Sequence, residues 1–264
     1  MSTAVAVISS FVMRGSVGLR AGMFALQRRG HRALAVPTVM MPWHPGHGPS
    51  TRTPSASLPD QLAELARDAP ALDAVLTGYF ASIGQVEAAE RFLIKVREAR
   101  PDALIVVDPV TGDENGRYVP DPVAEAIYGR LVPLADVLTP NANELRDISG
   151  AVSVAAAREL GARLAVITTA RENGGTIDTL GVGEEVTVAR HARVEAAPRG
   201  TGDLFAAVLT SALLQGAEDQ TAIRTAAAAT LGVVEQSGSG ELDLAGAQEA
   251  IASPDLSTVT MSTE

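Results

Sequence analysis

The sequence contains no cysteine, and aromatic residues make up only 3% of its 264 residues. The absence of cysteine excludes disulfide bonds, thiolate metal sites and cysteine nucleophiles. Because aromatic side chains are scarce and 46% of the chain is hydrophobic, the core must be built from alanine, valine, leucine and isoleucine. Cores of this composition are typical of parallel strands that helices cover on both faces.

The sequence also lacks an excess of positive charge and any long hydrophobic run. Its formal net charge is −10, so its surface repels phosphate backbones and we expect no nucleic-acid partner. No apolar run reaches the roughly 18 residues that a membrane-spanning helix needs, so we expect no membrane partner either. These features predict a cytoplasmic protein in which local features of a site hold any anionic ligand.

Short apolar runs alternate with helical segments along most of the chain. This alternation predicts βαβ units and a mostly parallel sheet. The expected fold class is a three-layer α/β/α architecture in one domain that spans residues 1–264. Strands are predicted at 4–10, 33–39, 74–79, 103–110, 136–141 and 164–169, and helices at 17–29, 58–67, 83–100, 121–131 and 153–160.

The pattern changes after residue 169. Apolar and polar residues alternate at the period of a strand on both sides of Gly181 and Gly183, which predicts an antiparallel hairpin at one edge of the sheet. Three alanine-rich helices are expected from Gly202 onward, and the tail at 253–264 is expected to fray. The hairpin strands are predicted at 176–180 and 185–194, and the three helices at 203–215, 219–236 and 243–252.

Polar and small residues follow most of the predicted strands directly. Ligands of open parallel sheets bind beyond the carboxyl ends of the strands, so these residues are candidates for a single site. They are Ser9 and Ser10 after the first strand, Gly78 and Tyr79 after the third, Asp108 and Asp113 after the fourth, Thr139 and Glu144 after the fifth, and Thr168 and Thr169 after the sixth.

The segment Gly200-Thr201-Gly202-Asp203 precedes a strongly helical run. Backbone N–H groups at a helix start point outward, and the helix dipole favours negative charge, so the segment predicts an anion site. Two roles are open for Asp203. It can cap the helix, or it can accept a proton from an attacking hydroxyl beside the bound anion, which is what a phosphoryl transferase needs.

This segment resembles the anion hole and catalytic base of the ribokinase-like kinases, a family without a P-loop. No Gly-x-x-x-x-Gly-Lys-Ser/Thr motif occurs in the chain either. Further segments, in the same order, resemble the pyridoxal kinases of that family from about Ser10 to Ala207. They are the stretch 10–18, Gly78-Tyr79, Asp108-Pro109-Val110 with Asp113, Tyr118-Val119-Pro120, and Thr139-Pro140-Asn141 with Glu144.

The resemblance implies an ATP-dependent kinase that phosphorylates the 5′-hydroxymethyl group of pyridoxal. It also implies Mg²⁺ as a cofactor, K⁺ near the anion hole, a homodimer, and a flap at 111–120. By this resemblance Asp203 is the base, and Gly200, Thr201 and Gly202 form the anion hole. Ser10, Val17 and Tyr79 would contact the substrate, Asp108 and Glu144 would hold Mg²⁺ beside ATP, and Asp113, Thr139 and Thr169 would approach the nucleotide.

Two positions depart from the pattern of the pyridoxal kinases. Leu19 follows Gly18 where that family usually has Asn, and Pro42-Trp43-His44-Pro45 stands where it has Ser-Asn-His-Thr. The hydroxyl that would contact the substrate at position 45 is therefore missing. Trp43 and His44 are candidates to stack on a pyridine ring, and each can equally be a loop residue packed on the surface.

Other functions remain open on the sequence alone. Hydroxymethylpyrimidine kinase shares the fold, but commonly has Cys where this chain has Asp203, and sugar kinases usually start with a longer glycine-rich lid. A Rossmann oxidoreductase is disfavoured because no Gly-x-Gly-x-x-Gly follows the first strand. A carrier of pyridoxal phosphate would not need Asp108, Glu144 and Asp203 together. Taken singly, Asp108 can start a turn, and Glu144 can be an ordinary acid of a first helical turn.

Overall fold

The computed structural model describes residues 2–238 and 240–264, in which a ten-stranded sheet lies between two layers of helices. The strand order is β12-β11-β10-β9-β8-β5-β4-β1-β2-β3, and the pairs from β9 to β2 are parallel. The predicted three-layer architecture with a mostly parallel sheet is confirmed. The strands are β1 (Ala4–Arg14), β2 (Arg32–Trp43), β3 (Thr53–Pro54), β4 (Ala74–Thr77), β5 (Leu104–Val107), β6 (Gly112–Asp113), β7 (Gly116–Arg117), β8 (Val137–Leu138), β9 (Leu164–Asn173), β10 (Thr176–Val182), β11 (Val186–Ala192) and β12 (Thr260–Thr263).

Helices cover the sheet on both faces, since successive residues of a strand point to opposite sides. Ala6 and Ile8 of β1 pack with α2 to α6, whereas Val5 and Val7 pack with α1, α7, α8 and α9. Within the described part of the chain, no helix is long and apolar enough to cross a lipid bilayer. The helices are α1 (Leu19–Arg28), α2 (Leu58–Leu65), α3 (Ile83–Ala99), α4 (Asp121–Arg130), α5 (Ala142–Ser149), α6 (Val154–Glu159), α7 (Thr201–Leu214), α8 (Asp219–Gln236) and α9 (Gln248–Ala252).

The antiparallel edge of the sheet contains the predicted hairpin and one further strand. β10 pairs with β11 from Thr176–Ala192 to Val182–Val186. The expectation that the tail at 253–264 frays is wrong, because β12 adds to β11 in antiparallel register. Buried Val259 and hydrogen bonds from Arg224 Nε to the carbonyls of Leu256 and Val259 hold the approach to β12. The assignment of 1–264 to one domain remains a prediction.

Several predicted boundaries differ from the structure. β1 and β2 run on to Arg14 and Trp43, because the register that pairs Phe11 with Met40 and Arg14 with Trp43 continues beyond the predicted ends. β8 ends early because Asn141 caps α5. The last predicted helix, 243–252, forms only as α9, since Asp243 makes a turn with Gly246.

Candidate active site

The carboxyl ends of the parallel strands meet at one edge of the sheet, and most of the predicted site residues lie there. Asp108 directly follows β5, Thr139 follows β8, and Gly78 follows β4. A small cavity at this edge brings together residues that are far apart in sequence. It is lined by Val7, Ser9, Gly18, Gly22, Leu76, Thr77, Gly78, Asp108, Asp203 and Ala206.

Gly200 and Asp203 begin α7 at this edge. Gly200 is the N-cap residue with a φ of 100°, and a Cβ at this position would overlap the carbonyl oxygen of Ser16. Glycine is therefore required both by the backbone conformation and by the close approach. Asp203 lies in the first turn and makes no capping hydrogen bond, so the alternative role of a helix cap is wrong.

The Asp203 carboxyl is partly exposed and is hydrogen-bonded by the backbone N–H of Gly18. Burial of the carboxyl among surrounding residues of the chain raises the pKa of Asp203 to about 6, and the hydrogen bond from Gly18 only partly opposes this rise. The group is consequently ionised at neutral pH, yet its basicity is well above that of an ordinary aspartate. These properties suit a general base.

Asp108 is a buried acid that lines the same cavity as Asp203, and Glu144 is a second buried acid near Asp108. Burial raises the pKa of Asp108 well above its ordinary value, and the charges of Glu144 and Asp203 raise it further. Burial likewise raises the pKa of Glu144 to about 8. The negative charges of Glu144 and Asp203 disfavour ionisation of Asp108, so a bound cation would stabilise the ionised form of these acids.

Glu144 also has a structural role. It completes a capping box with Asn141: Glu144 Oε2 accepts from the Asn141 N–H at 2.9 Å, and Oε1 accepts from the Thr111 N–H at 2.9 Å. Glu144 is therefore an acid of the first turn of α5, as the structural alternative predicted, and this role does not exclude contact with a metal ion. Because backbone donors already contact both carboxylate oxygens, we expect water to mediate contact with a metal ion. Among residues 2–238 and 240–264, no group of three or more metal-binding side chains is preformed.

Two threonine hydroxyls near Asp108 are buried and lack partners. Thr139 Oγ1 lies close to the Asp108 carboxyl without reaching hydrogen-bonding geometry, and Thr77 Oγ1 has no hydrogen-bond partner within the described chain. Buried polar groups usually have partners, and exceptions often mark functional sites. The sequence motifs point to Thr139 but not to Thr77, although Thr77 directly precedes the Gly78-Tyr79 motif.

The predicted substrate residues lie around a small apolar cluster. Val17 packs with Val12, Val39 and Met41, and Tyr79 lies partly buried against this cluster. Ser10 is buried beneath Gly18, where a Cβ would overlap the Ser10 carbonyl oxygen. These residues form a largely apolar wall that also carries the hydroxyl groups of Ser10 and Tyr79, which suits a flat heteroaromatic ring.

Trp43 is the last residue of β2, and His44 begins the loop that follows. Trp43 remains 38% exposed and donates from Nε1 to the Pro49 carbonyl at 3.2 Å. His44 Nδ1 accepts from the Gly46 N–H at 3.0 Å, and burial, followed by the charge of Arg199, lowers the pKa of His44. The alternative of a packed loop residue is thus supported for His44, whereas Trp43 is a strand residue. Leu19 is fully buried in the core beside α7, which accounts for an apolar residue at that position.

The predicted flap forms the β6–β7 hairpin, and its base is tied to α5 by a bond from Asn141 Nδ2 to the Gly112 carbonyl at 2.8 Å. Asp113, on this hairpin, pairs with Arg199, the residue directly before Gly200. Burial alone would raise the pKa of Asp113, but hydrogen bonds from Tyr118 and Arg199 outweigh it and hold the pKa below its ordinary value. No role for Arg199 follows from the sequence pattern alone.

Thr169 lies farther along the same edge, in an irregular part of β9. It has a φ of 51° and is exposed, and the pairing of β9 with β10 shifts register next to it. Such bulges are common beside active sites because they redirect side chains. A nucleotide contact by Thr169 remains a prediction.

The sequence profile of the phosphomethylpyrimidine kinase family matches residues 13–242. The chain belongs to this family. The pyridoxine/pyridoxal/pyridoxamine kinase of Bordetella avium (strain 197N) is 39% identical over 236 residues, which are 82% of this chain and 79% of that protein. The pyridoxal kinase PdxY of Leifsonia xyli subsp. xyli is 32% identical over 270 residues, covering 94% of this chain and 95% of that protein.

A solved structure of a pyridoxal kinase has the same fold as this chain. The pyridoxal kinase from Leishmania donovani in complex with ADP and pyridoxamine superimposes on the chain with a TM-score of 0.90 at 25% identity, and all of both chains is covered. The resemblance to pyridoxal kinases predicted from the sequence is confirmed.

Proposed function

We propose that this chain transfers the γ-phosphoryl group of ATP to the 5′-hydroxymethyl group of pyridoxal, giving pyridoxal 5′-phosphate in the salvage of vitamin B6. The observation that carries the proposal is the position of Asp203 in the first turn of α7, directly after the glycine segment and beside a cavity shared with Asp108. A proton acceptor, an anion site and buried acids thus lie within one small region. The names of the curated relatives support the choice of substrate.

In this mechanism Asp203 removes the proton of the substrate hydroxymethyl group as its oxygen attacks the γ-phosphorus. With a pKa of about 6, Asp203 is ionised at physiological pH and basic enough to share the proton in the transition state. The backbone N–H groups of Thr201 and Gly202 at the start of α7 stabilise the negative charge of the phosphoryl group. Asp203 holds the proton through the transfer and then releases it to solvent.

Asp108 and Glu144 would hold Mg²⁺ on the nucleotide side, the latter through water. Burial raises the pKa of both groups, and the charge of Glu144 raises the pKa of Asp108 further, which fits a site that binds a divalent cation. When bound, the ion neutralises part of the charge of the triphosphate. Asp113, Thr139 and Thr169 would approach the nucleotide phosphates from the flap and from the strand ends.

The substrate ring would lie against Val17 and Tyr79, with the Ser10 hydroxyl available for its polar edge. Trp43, on the same side of the β1–β2 extension as Met41, would cover the ring from the end of β2. The name of the matched family leaves hydroxymethylpyrimidine as a second candidate substrate. Asp203, at a position where hydroxymethylpyrimidine kinases commonly have cysteine, favours pyridoxal.

The proposal is tested by phosphate transfer from Mg·ATP, with pyridoxal, pyridoxine, hydroxymethylpyrimidine and ribose compared side by side. We expect turnover of a vitamin B6 form, and we expect Asp203→Asn to lower kcat by about 10²- to 10⁴-fold while nucleotide binding persists. Asp219→Asn is the matched control, because Asp219 also starts a helix but pairs with Arg163 away from the site. Turnover of hydroxymethylpyrimidine alone would overturn the substrate, and unchanged turnover in Asp203→Asn would overturn the mechanism.

A homodimer is part of the same proposal. Met13 and Met40 are 60% and 45% exposed on the extension where β1 pairs with β2, and large exposed apolar side chains often mark interfaces. Light scattering after size-exclusion chromatography would measure the mass, and Met40→Glu should give a monomer. Dependence on Mg²⁺ and K⁺ is measured by omitting each ion, and the cytoplasmic location by cell fractionation.

A further inference from the structure

The charge of the proposed site is predominantly negative. Asp108, Glu144, Asp203 and Asp113 all lie where a nucleotide with three phosphates is proposed to bind. The single lysine of the chain, Lys95, pairs with Glu98 on the surface of α3 and cannot serve as a phosphate ligand. A bound Mg²⁺ offsets only part of this charge, so the site needs a further cation from the protein.

Arg199 is placed to supply that cation. It directly precedes Gly200, and its backbone forms a β-bridge with Glu241. Gly200, the residue that follows Arg199, is held in place by its close packing on Ser16. The guanidinium group of Arg199 therefore leaves a backbone that is rigid relative to the proposed anion hole.

The contacts of Arg199 leave part of its guanidinium group available. Its Nη1 donates to Asp113 Oδ2 and lies 3.4 Å from the Tyr118 hydroxyl, both on the flap side. Within the described chain, Nε and Nη2 make no hydrogen bond, and the side chain is 48% exposed. An arginine held by one nitrogen, with two adjacent N–H donors open, can bind a phosphoryl group in bidentate fashion.

We propose that Arg199 binds the phosphoryl group that is transferred, and that Asp113 and Tyr118 orient its guanidinium group for this contact. This inference rests on the proposed function and adds a catalytic residue to it. Asp113 is thus a positioning residue, because a carboxylate without Arg199 would repel the phosphates that it approaches. The Arg199–Asp113 pair also joins the flap to the start of α7, so that closure of the flap and binding of the phosphoryl group occur together.

The test compares nucleotides that differ only in the terminal phosphoryl group. Calorimetry on Arg199→Met should show AMP-PNP binding weakened about tenfold, while ADP binding changes less than about threefold. A role that is only structural would weaken both nucleotides equally. In steady-state kinetics, kcat/KM for ATP should fall about 100-fold, with KM for pyridoxal unchanged.

Four further variants make the experiment sharper. Guanidinium ion added at millimolar concentration should restore part of the activity of Arg199→Ala, and Arg199→Lys should recover only part because lysine lacks the planar fork. Arg190→Met is the matched control: Arg190 pairs with Asp178 on the edge hairpin at 51% exposure, and its loss should leave the kinetics unchanged. Asp113→Asn should raise KM for ATP less than Arg199→Met does.

The outcomes separate this inference from the proposed function. If the native chain phosphorylates no vitamin B6 form, the proposed substrate is wrong, and the comparison of AMP-PNP with ADP still decides the role of Arg199. If the native chain is active and Arg199→Met keeps kcat/KM for ATP within about threefold, Arg199 is not a phosphoryl ligand. Equal weakening of AMP-PNP and ADP would also overturn the inference.

Discussion

Replacing the proposed base, Asp203, by asparagine should strongly lower kcat and at the same time stabilise the protein. Burial raises the pKa of Asp203 from its ordinary value of 3.8 to about 6. The folded state thus favours the protonated, neutral carboxyl, and ionisation at neutral pH opposes folding. Asparagine is neutral, has nearly the same shape, and keeps an oxygen that accepts from the Gly18 N–H.

The size of this gain follows from the pKa. Each pKa unit corresponds to about 1.4 kcal/mol, so a rise from 3.8 to about 6 gives an upper bound of about 3 kcal/mol at pH 7.5. Water reaches the partly exposed carboxyl and reduces the effect, and we expect a gain of about 1–3 kcal/mol. The gain should be complete above pH 6 and should vanish as the pH falls from 6 to below 3.8, where the native carboxyl is neutral in both states.

Urea unfolding of both proteins at several pH values, in buffer without divalent cations, measures this difference. The midpoint of Asp203→Asn should exceed that of the native chain at pH 7.5, and the two should converge near pH 4. Asp219→Asn should show no gain, since Asp219 is paired with Arg163. Equal or lower stability of Asp203→Asn at pH 7.5 would refute the argument that burial disfavours the charge of this carboxyl.

Three further changes have expected outcomes. Thr77→Val should leave stability unchanged or raise it by about 1 kcal/mol in urea unfolding, because the buried Thr77 hydroxyl lacks a partner; a loss above about 1 kcal/mol would contradict this. Gly200→Ala should destabilise the chain by about 1–3 kcal/mol, since its φ is 100° and a Cβ would overlap Ser16, whereas Gly202→Ala, with open space, should not. Burial lowers the pKa of His31 in the folded state. The free energy of unfolding is therefore highest above pH 6.5, the approximate pKa of histidine in the unfolded chain, and it declines as the pH falls from 6.5 toward the lower pKa of the folded state. His31→Gln should remove that part of the pH dependence, and identical slopes for both proteins between pH 7 and 5 would show that His31 does not titrate this way.

Much of the architecture can be predicted from local patterns. Parallel strands buried on both faces read as short aliphatic runs, and the predicted bounds of α8, 219–236, are those observed. The glycine segment before α7 is recognisable because a helix start with flanking glycines has a local signature. Asp108, Glu144 and Asp203 belong to local motifs as well, which is why the sequence alone identifies them as candidates.

The errors concern features that depend on distant partners. The tail at 253–264 is polar and reads as frayed, but β12 gains its stability from the exposed edge of β11, about 70 residues earlier in the chain. The extension of β1 to Arg14 likewise needs β2 as a partner. Hydrogen bonds between strands contribute nothing to the local sequence pattern, so such additions are not visible in composition or periodicity.

The sequence by itself determined the order of strands and helices, the apolar composition of the core and the acidic residues at the strand ends. Only the tertiary structure decided the electrostatics of those acids and their neighbours. The pKa of Asp203 rises because residues from β1, α1 and β4 enclose it at the start of α7, and Arg199 joins the site because the flap hairpin folds back onto it. Local patterns follow from the preferences of neighbouring residues, whereas desolvation and charge pairing depend on which distant segments the fold brings into contact.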